Sequence, residues 1–160
     1  MVCDWRKLNS ITLDDGYLMN NPAHILSSVA GARYLSKIDL KNAFYQIPLS
    51  AESRKYTSFR TFCGSYEYVR GGMGLKSMPK TFQRLINKIL RGAQSYAVAH
   101  LDDITIFSKT FEEHLEHLRD VLMRLSRAKL TAQKDKSQFI FPAMSIFRHV
   151  VENGLIKPDE

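Results

Sequence analysis

Apolar positions recur along this chain with two periods, and each period predicts a kind of element. Phe82, Leu85, Ile86, Ile89 and Leu90 follow helical spacing after Pro79, which suits a first helical turn, and Gly92 stops the run. A second helix is signalled more fully. Thr110-Phe-Glu-Glu113 matches a capping box, and Phe111, Leu115, Leu118, Val121, Leu122 and Leu125 form one apolar stripe. Glu112 and Glu113 at its start and Arg124, Arg127 and Lys129 near its end suit the helix dipole. A short helix is expected over residues 23–30, stopped near Gly31, and a helical turn over 41–46, closed by Pro48.

The shorter period predicts strands. Residues 33–39 read as a strand ending in a carboxylate, and 56–62 and 65–69 as an aromatic-rich hairpin about Gly64. The apolar runs 96–101 and 104–108 flank Asp102-Asp103 and predict a tight hairpin with the two aspartates at its tip. Short polar side chains tolerate the positive φ such a tip requires. Residues 137–151 read as two strands around Pro142, and residues 2–9 as a strand-like start carrying Trp5. Its abruptness predicts a piece of something longer. Residues 14–22 read as a polar loop, and Gly71, Gly72 and Gly74 as an open one. Strands and helices mix without regular βαβ repetition, so the expected class is α+β: helices packed on one face of a mainly antiparallel sheet.

Composition narrows the partners. The 160 residues suit one domain with a real core, and the formal charge of +7 fits a polyanionic partner, of which nucleic acid is the commonest. Cys3 and Cys63 make neither a metal-ligand pattern nor a disulfide framework, which suits a reducing, intracellular compartment. No export signal, repeat or run long enough to span a bilayer is visible.

Candidate chemistry centres on carboxylates. Adjacent like charges disfavour each other's ionisation, and a bound cation relieves the repulsion. Asp39, at the end of the strand 33–39, is the third member. A strand ending in Asp plus a distant hairpin tipped by Asp-Asp is the layout of a two-metal phosphoryl-transfer site. Mg²⁺ takes a few carboxylates, waters and substrate phosphates rather than a full protein cage.

These residues sit within blocks that resemble the reverse transcriptase domain of gypsy-type LTR retrotransposons and, more distantly, retroviral reverse transcriptases. The resemblance runs in order through Asp4-Trp-Arg-Lys-Leu-Asn9, Gly31-Ala-Arg-Tyr-Leu-Ser-Lys-Ile-Asp-Leu-Lys-Asn-Ala-Phe-Tyr-Gln-Ile47 and Gly64-Ser-Tyr-Glu-Tyr68. It continues through Gly74-Leu-Lys-Ser-Met-Pro-Lys-Thr-Phe-Gln83, His100-Leu-Asp-Asp-Ile-Thr-Ile-Phe-Ser108 and Glu113-His-Leu-Glu-His-Leu118.

The resemblance implies a right-hand polymerase palm with partial fingers, residues 1–160 forming a single domain fragment without thumb or RNase H. It implies template-directed transfer from dNTP to a primer 3′-OH on RNA or DNA, with two Mg²⁺ (or Mn²⁺) ions held by Asp39, Asp102 and Asp103. The carbonyl of Leu40 adds a metal ligand, and Phe44 is the steric gate against a ribose 2′-OH. Met73 and Gly74 line the nucleotide pocket, Leu101 lies near the primer end, and Phe147, Arg148 and His149 grip the primer. A location in a cytoplasmic particle or the nucleus follows, with no membrane partner. Glu113, His114 and His117 become a solvated scaffold face rather than a metal site, and His24 and His100 receive no catalytic role.

The chain departs from the family at several points. His100 stands where the family usually has Tyr, and Gly72-Met-Gly-Leu75 where it has Pro-Phe-Gly-Leu. Ile146-Phe-Arg-His149 replaces Tyr-Leu-Gly-His, and Tyr17-Leu-Met-Asn20 replaces Tyr-Pro-Leu-Pro. These departures favour a rival expectation: a catalytically impaired or domesticated retroelement relic that at most binds nucleic-acid duplex.

Overall fold

The computed structural model describes residues 3–158. Its elements begin with helices α1 (Arg6–Ile11) and α2 (Pro22–Val29), strand β1 (Tyr34–Asp39) and helix α3 (Ala51–Arg54). Strands β2 (Phe59–Thr61) and β3 (Gly64–Tyr66), helix α4 (Met78–Ile89), and strands β4 (Ala97–His100) and β5 (Asp103–Ser108) follow. Helix α5 (Phe111–Arg127) leads to strands β6 (Gln138–Phe141), β7 (Ala143–Ile146), β8 (His149–Glu152) and β9 (Leu155–Pro158). All strand pairs among the described residues are antiparallel, so the α+β expectation holds. Two compact units form, one from residues up to Leu18 with Asn42–Arg84, the other from Met19–Lys41 with residues from Leu85 onward.

The first unit is organised by Trp5. The ring packs with buried Leu75 and Met78 and with partly buried Leu8, Phe44, Ile47 and Tyr68. Of the expected strand over 2–9, residue 2 lies outside the described residues and residues 6–9 are helical; Trp5 is buried as the residue before α1, where an unpaired strand would have left it in water. The glycine loop is packed rather than open. Trp5 Nε1 donates to Met73 O at 2.9 Å, and Asn9 Nδ2 donates to Gly74 O at 2.8 Å. A Cβ on Gly71 would stand 2.6 Å from Phe44 O, so only glycine lets the loop close on this core. The β2–β3 hairpin turns at Phe62-Cys63, one step before the expected Gly64, which pairs with Thr61.

The second unit holds a four-stranded sheet in the order β4-β5-β1-β6 and a three-stranded meander β7-β8-β9. Ile25 and Val29 of α2, Leu35, Phe107, Met144, Ile146 and Val151 form one core between them. Within 137–151 three strands begin rather than two, and β9 follows beyond that span. Pro142 parts β6 from β7 as expected, and a two-residue turn at Phe147-Arg148 splits what periodicity read as one strand. At the β8–β9 turn Gly154 meets Gly31: Gly31 N donates to Gly154 O at 3.0 Å, and a Cβ on Gly154 would lie 2.8 Å from the Gly31 Cα.

Helix α5 packs on β1 and β5 and carries the expected capping box. Its buried face differs from the expected stripe. Val121 and Leu125 are buried, but Phe111, Leu115 and Leu122 are exposed and His114 is fully covered. His114, Val121 and Leu125 share one helical face, and the sheet offers that face two serine hydroxyls that a leucine could not bond.

Candidate active site

Register assembles the carboxylates. The antiparallel pairing of β1 with β5 sets Asp39 opposite Asp103, and the β4–β5 hairpin sets His100 opposite Asp103. Leu101-Asp102 is the two-residue turn of that hairpin. Leu40 N donates to Asp102 O at 3.0 Å, which ties the turn to the end of β1. Behind Asp39 the backbone is pinned from the far side. Gln133 N donates to Asp39 O at 2.8 Å, Asp39 N to Ser137 Oγ at 3.2 Å, and Lys41 N to Thr131 O at 2.9 Å.

The positive φ at the hairpin tip falls on Leu101, at 54°, rather than on an aspartate. A branched side chain in the left-handed region costs about 1–2 kcal/mol, and such strain persists only where neighbouring contacts over-determine it. The turn thereby leaves Asp102 exposed and Asp103 half-buried.

Electrostatics mark the site as crowded with negative charge. Burial holds the Asp39 carboxyl above the usual carboxylate range, and the charges of Asp102 and Asp103 push the same way. Lys136 and Lys37 oppose them. Lys37 also pairs directly with Asp103, Nζ to Oδ2 at 2.7 Å. Lys37 escaped the sequence reading, although period 2 sets it on the face of β1 that carries Asp39. Among the described residues no three His, Cys, Asp or Glu side chains gather into a metal cage. The donor set is hard carboxylate oxygen under mutual repulsion, and it fits a divalent ion that draws its other ligands from water and phosphate.

The remaining expected residues divide between the units. Leu40 is buried and bridges to Ala132. Phe147 and Arg148 form the β7–β8 turn with φ of 49° and 60°, and His149 Nδ1 donates to Phe147 O at 2.9 Å. The Phe147 ring stands edge-on to His100, centroids 5.0 Å apart, so this turn meets the carboxylate hairpin. Phe44, Met73 and Gly74 belong to the first unit. Phe44 is half-buried, edge-on to Phe82 at 5.9 Å; the Met73 side chain is exposed.

A buried polar network lies at the other end of β1 and β5. His114 Nε2 is 2.7 Å from Ser36 Oγ, and its Nδ1 is 2.9 Å from Ser108 Oγ. Ser108 Oγ also reaches His117 Nδ1 at 2.8 Å, and Ile140 N donates to Ser36 Oγ at 3.0 Å. Burial pushes His114 below the usual histidine range, with His117 adding to the shift. The expected solvated face is thus corrected: His114 is internal. Its spacing of seven before Val121 was the signal that could have found it. No helix among the described residues is long and apolar enough to cross a membrane.

Comparison with known proteins shows the family and the fold. The family model described as "Reverse transcriptase (RNA-dependent DNA polymerase)" matches residues 1–152. The retrovirus-related Pol polyprotein from transposon 297 of Drosophila melanogaster is 40% identical over 160 residues, 99% of this chain and 15% of the relative. The corresponding polyprotein of transposon gypsy from the same organism is 32% identical over 162 residues, 99% of this chain and 16% of the relative. The chain therefore spans about a sixth of the length of these relatives. The structure of the foamy viral protease-reverse transcriptase dRH, solved in complex with double-stranded DNA, superposes with a TM-score of 0.91. It is 23% identical and covers 99% of this chain and 28% of that one, a likeness that shows a common fold.

Proposed function

The chain belongs to the reverse transcriptase (RNA-dependent DNA polymerase) family, and from that membership we propose that it is the palm and part of the fingers of an RNA-directed DNA polymerase. In this reading residues 1–160 are one domain fragment of a retroelement polyprotein. Its substrates are a dNTP and a primer paired to an RNA or DNA template. The primer 3′-OH gives its proton to solvent as its oxygen bonds to the α-phosphorus, the bond from that phosphorus to the oxygen bridging to the β-phosphate breaks, and pyrophosphate leaves.

The observation that supports this reading best is the pairing of Asp39 with Asp103, together with the bond from Leu40 N to Asp102 O. It sets three carboxylates at one sheet end. Enzymes of this family use divalent metals. We assign two Mg²⁺, replaceable by Mn²⁺, to Asp39, Asp102 and Asp103 with the Leu40 carbonyl. When bound, such ions stabilise charge on the attacking and leaving oxygens. The chain's own residues supply position and field. Lys37 orients Asp103, Leu40 N–H fixes the Asp102 backbone, and the strained Leu101 turn aims the aspartate pair. Phe44 excludes a ribose 2′-OH, Met73 and Gly74 line the nucleotide pocket, Leu101 sits by the primer end, and Phe147, Arg148 and His149 hold the primer. The work proceeds inside the cell, in a cytoplasmic particle or the nucleus.

Primer extension on an RNA template with Mg²⁺ or Mn²⁺ tests the proposal, with Asp102→Asn as control. It is run on the chain alone and with flanking fingers and thumb segments joined to it. Extension that depends on Asp102 supports the reading, and none in either form sinks it. His100, Met73 and Arg148, standing where the family usually has Tyr, Phe and Gly, favour the second reading, a relic that only binds duplex. That reading requires duplex binding that weakens steeply with salt.

A further inference from the structure

We propose that His100 is a positioning residue: it fastens the β7–β8 turn to the carboxylate hairpin and so sets where a gripped primer end lies relative to Asp103. The inference rests on the primer-grip reading above and adds a residue to which that reading gave no role.

Three observations carry it. The ladder fixes the His100 backbone directly opposite Asp103, so the two residues share one rung of the hairpin. The ring meets Phe147 edge-on, at 5.0 Å and 90°, an attractive arrangement for aromatic rings. Phe147 needs such an anchor. Both turn residues hold positive φ, a geometry that Asn-Gly adopts freely and that Phe-Arg adopts only under constraint.

The third observation is polar. Among the described residues, His100 Nδ1 is the buried side-chain nitrogen or oxygen left without a hydrogen-bond partner. Beside His100 lies a cavity of about 40 Å³ walled by Lys37, Asp103 and Thr105 of the sheet and by Ser145 and Phe147 of the neighbouring hairpin. The charges facing it, Lys37 and Asp103, are already paired with each other. The histidine thus has an apolar edge for Phe147 and a polar edge for the gap between the hairpins. Its position, not its ionisation, is what the arrangement uses.

Amide hydrogen exchange by NMR on the chain itself tests the link. His100→Ala should speed exchange of the Ile146 and His149 amides, the pair that closes the β7–β8 hairpin, about tenfold while leaving the centre of β1 unchanged. His100→Phe keeps the ring edge and should restore most of that protection; His100→Gln keeps polarity without the ring and should not. Unchanged exchange in His100→Ala, loss spread evenly over the sheet, or equal rescue by Gln and Phe overturns the proposal. If His100→Ala does not fold, the Phe and Gln variants, closer to histidine in volume, carry the comparison alone.

A second readout separates this inference from the functional reading. With a 2-aminopurine at the primer 3′ end and flanking segments joined, His100→Ala should alter the terminal-base fluorescence and raise extension of mismatched ends. Duplex affinity should stay within about twofold, since phosphate contacts supply most of it. A wild-type protein that binds no duplex refutes the primer-grip reading, whereas the exchange result still decides whether His100 joins the two hairpins.

Discussion

Strands β1 and β5 run side by side, and their two ends are built in opposite ways. At one end Asp39 faces Asp103, Leu101 is strained, and His100 keeps an unmatched nitrogen. Towards the other, His114 bonds Ser36 through one ring nitrogen and Ser108 through the other, and Ile140 N donates to Ser36 Oγ. One end concentrates like charge, and the other contains polar groups whose partners are all protein. The contrast teaches how a small sheet supports chemistry. A fully satisfied buried network is rigid, and rigidity behind a strand lets its far end hold charges and a turn that would otherwise relax. The pKa shifts carry the same contrast, with Asp39 raised and His114 lowered.

The comparison breaks most directly at the acidic end. Asp102→Asn should lower primer extension about a thousandfold, the scale of losing one preorganised electrostatic group. Its urea midpoint should stay near wild type, because Asp102 is exposed. A variant that instead unfolds would erase the distinction between the ends.

At the satisfied end the effect should be on stability. His114→Ala deletes a buried ring and two hydrogen bonds, and we expect a loss of about 2–4 kcal/mol in urea denaturation. Extension should fall only in proportion to the unfolded fraction. A loss below about 1 kcal/mol would mean that the serines re-pair without the ring.

Titration sharpens the contrast further. His114 is lowered from 6.5, so it is neutral when folded and charges more readily when unfolded. Its stabilising contribution is complete above 6.5 and falls as pH drops below that value towards the folded one. Asp39 is raised above 3.8, so its contribution is complete below 3.8 and is lost as pH rises through its folded value. Urea midpoints measured from about pH 3 to about 8, a range that brackets both groups, should show His114→Gln flattening the slope below 6.5. Asp39→Asn should raise the midpoint at neutral pH. A lower midpoint for Asp39→Asn would show that the carboxylate stabilises the fold, contrary to its raised pKa.

The smallest effect concerns the turn. Leu101→Gly removes a left-handed leucine but frees the unfolded chain, and the two nearly offset, leaving about 0.5 kcal/mol of stabilisation. Calorimetry that finds destabilisation would assign the Leu101 side chain a packing role larger than its strain.

Much of the site was legible because its signals are local. Asp39 ends an apolar run, and Asp102-Asp103 interrupts another. The capping box at Thr110 and Glu113 was equally plain. What escaped depends on tertiary partners. Nothing near His114 announces Ser36, which is far away in sequence, so the expected helix face takes in Leu115 and Leu122, which are exposed, beside Leu125, which is buried. Trp5 was read as strand because its burial depends on Leu75 and Met78. The glycines at 71–74 looked loose because flexibility and close packing call for the same residue, and only the surroundings tell them apart.

The contact between Gly31 and Gly154 has a consequence in time. Gly31 lies just ahead of β1 and Gly154 in the β8–β9 turn, and the approach depends on Gly154, where a Cβ would run into the Gly31 backbone. A ribosome delivers the first long before the second. The clasp that joins the meander to the start of β1 therefore forms after β1 and β5 have paired, and until it forms the partly folded unit is more exposed to other chains. Nascent chains stalled with residues up to 153 emerged should aggregate more readily than chains stalled with residues up to 158 emerged.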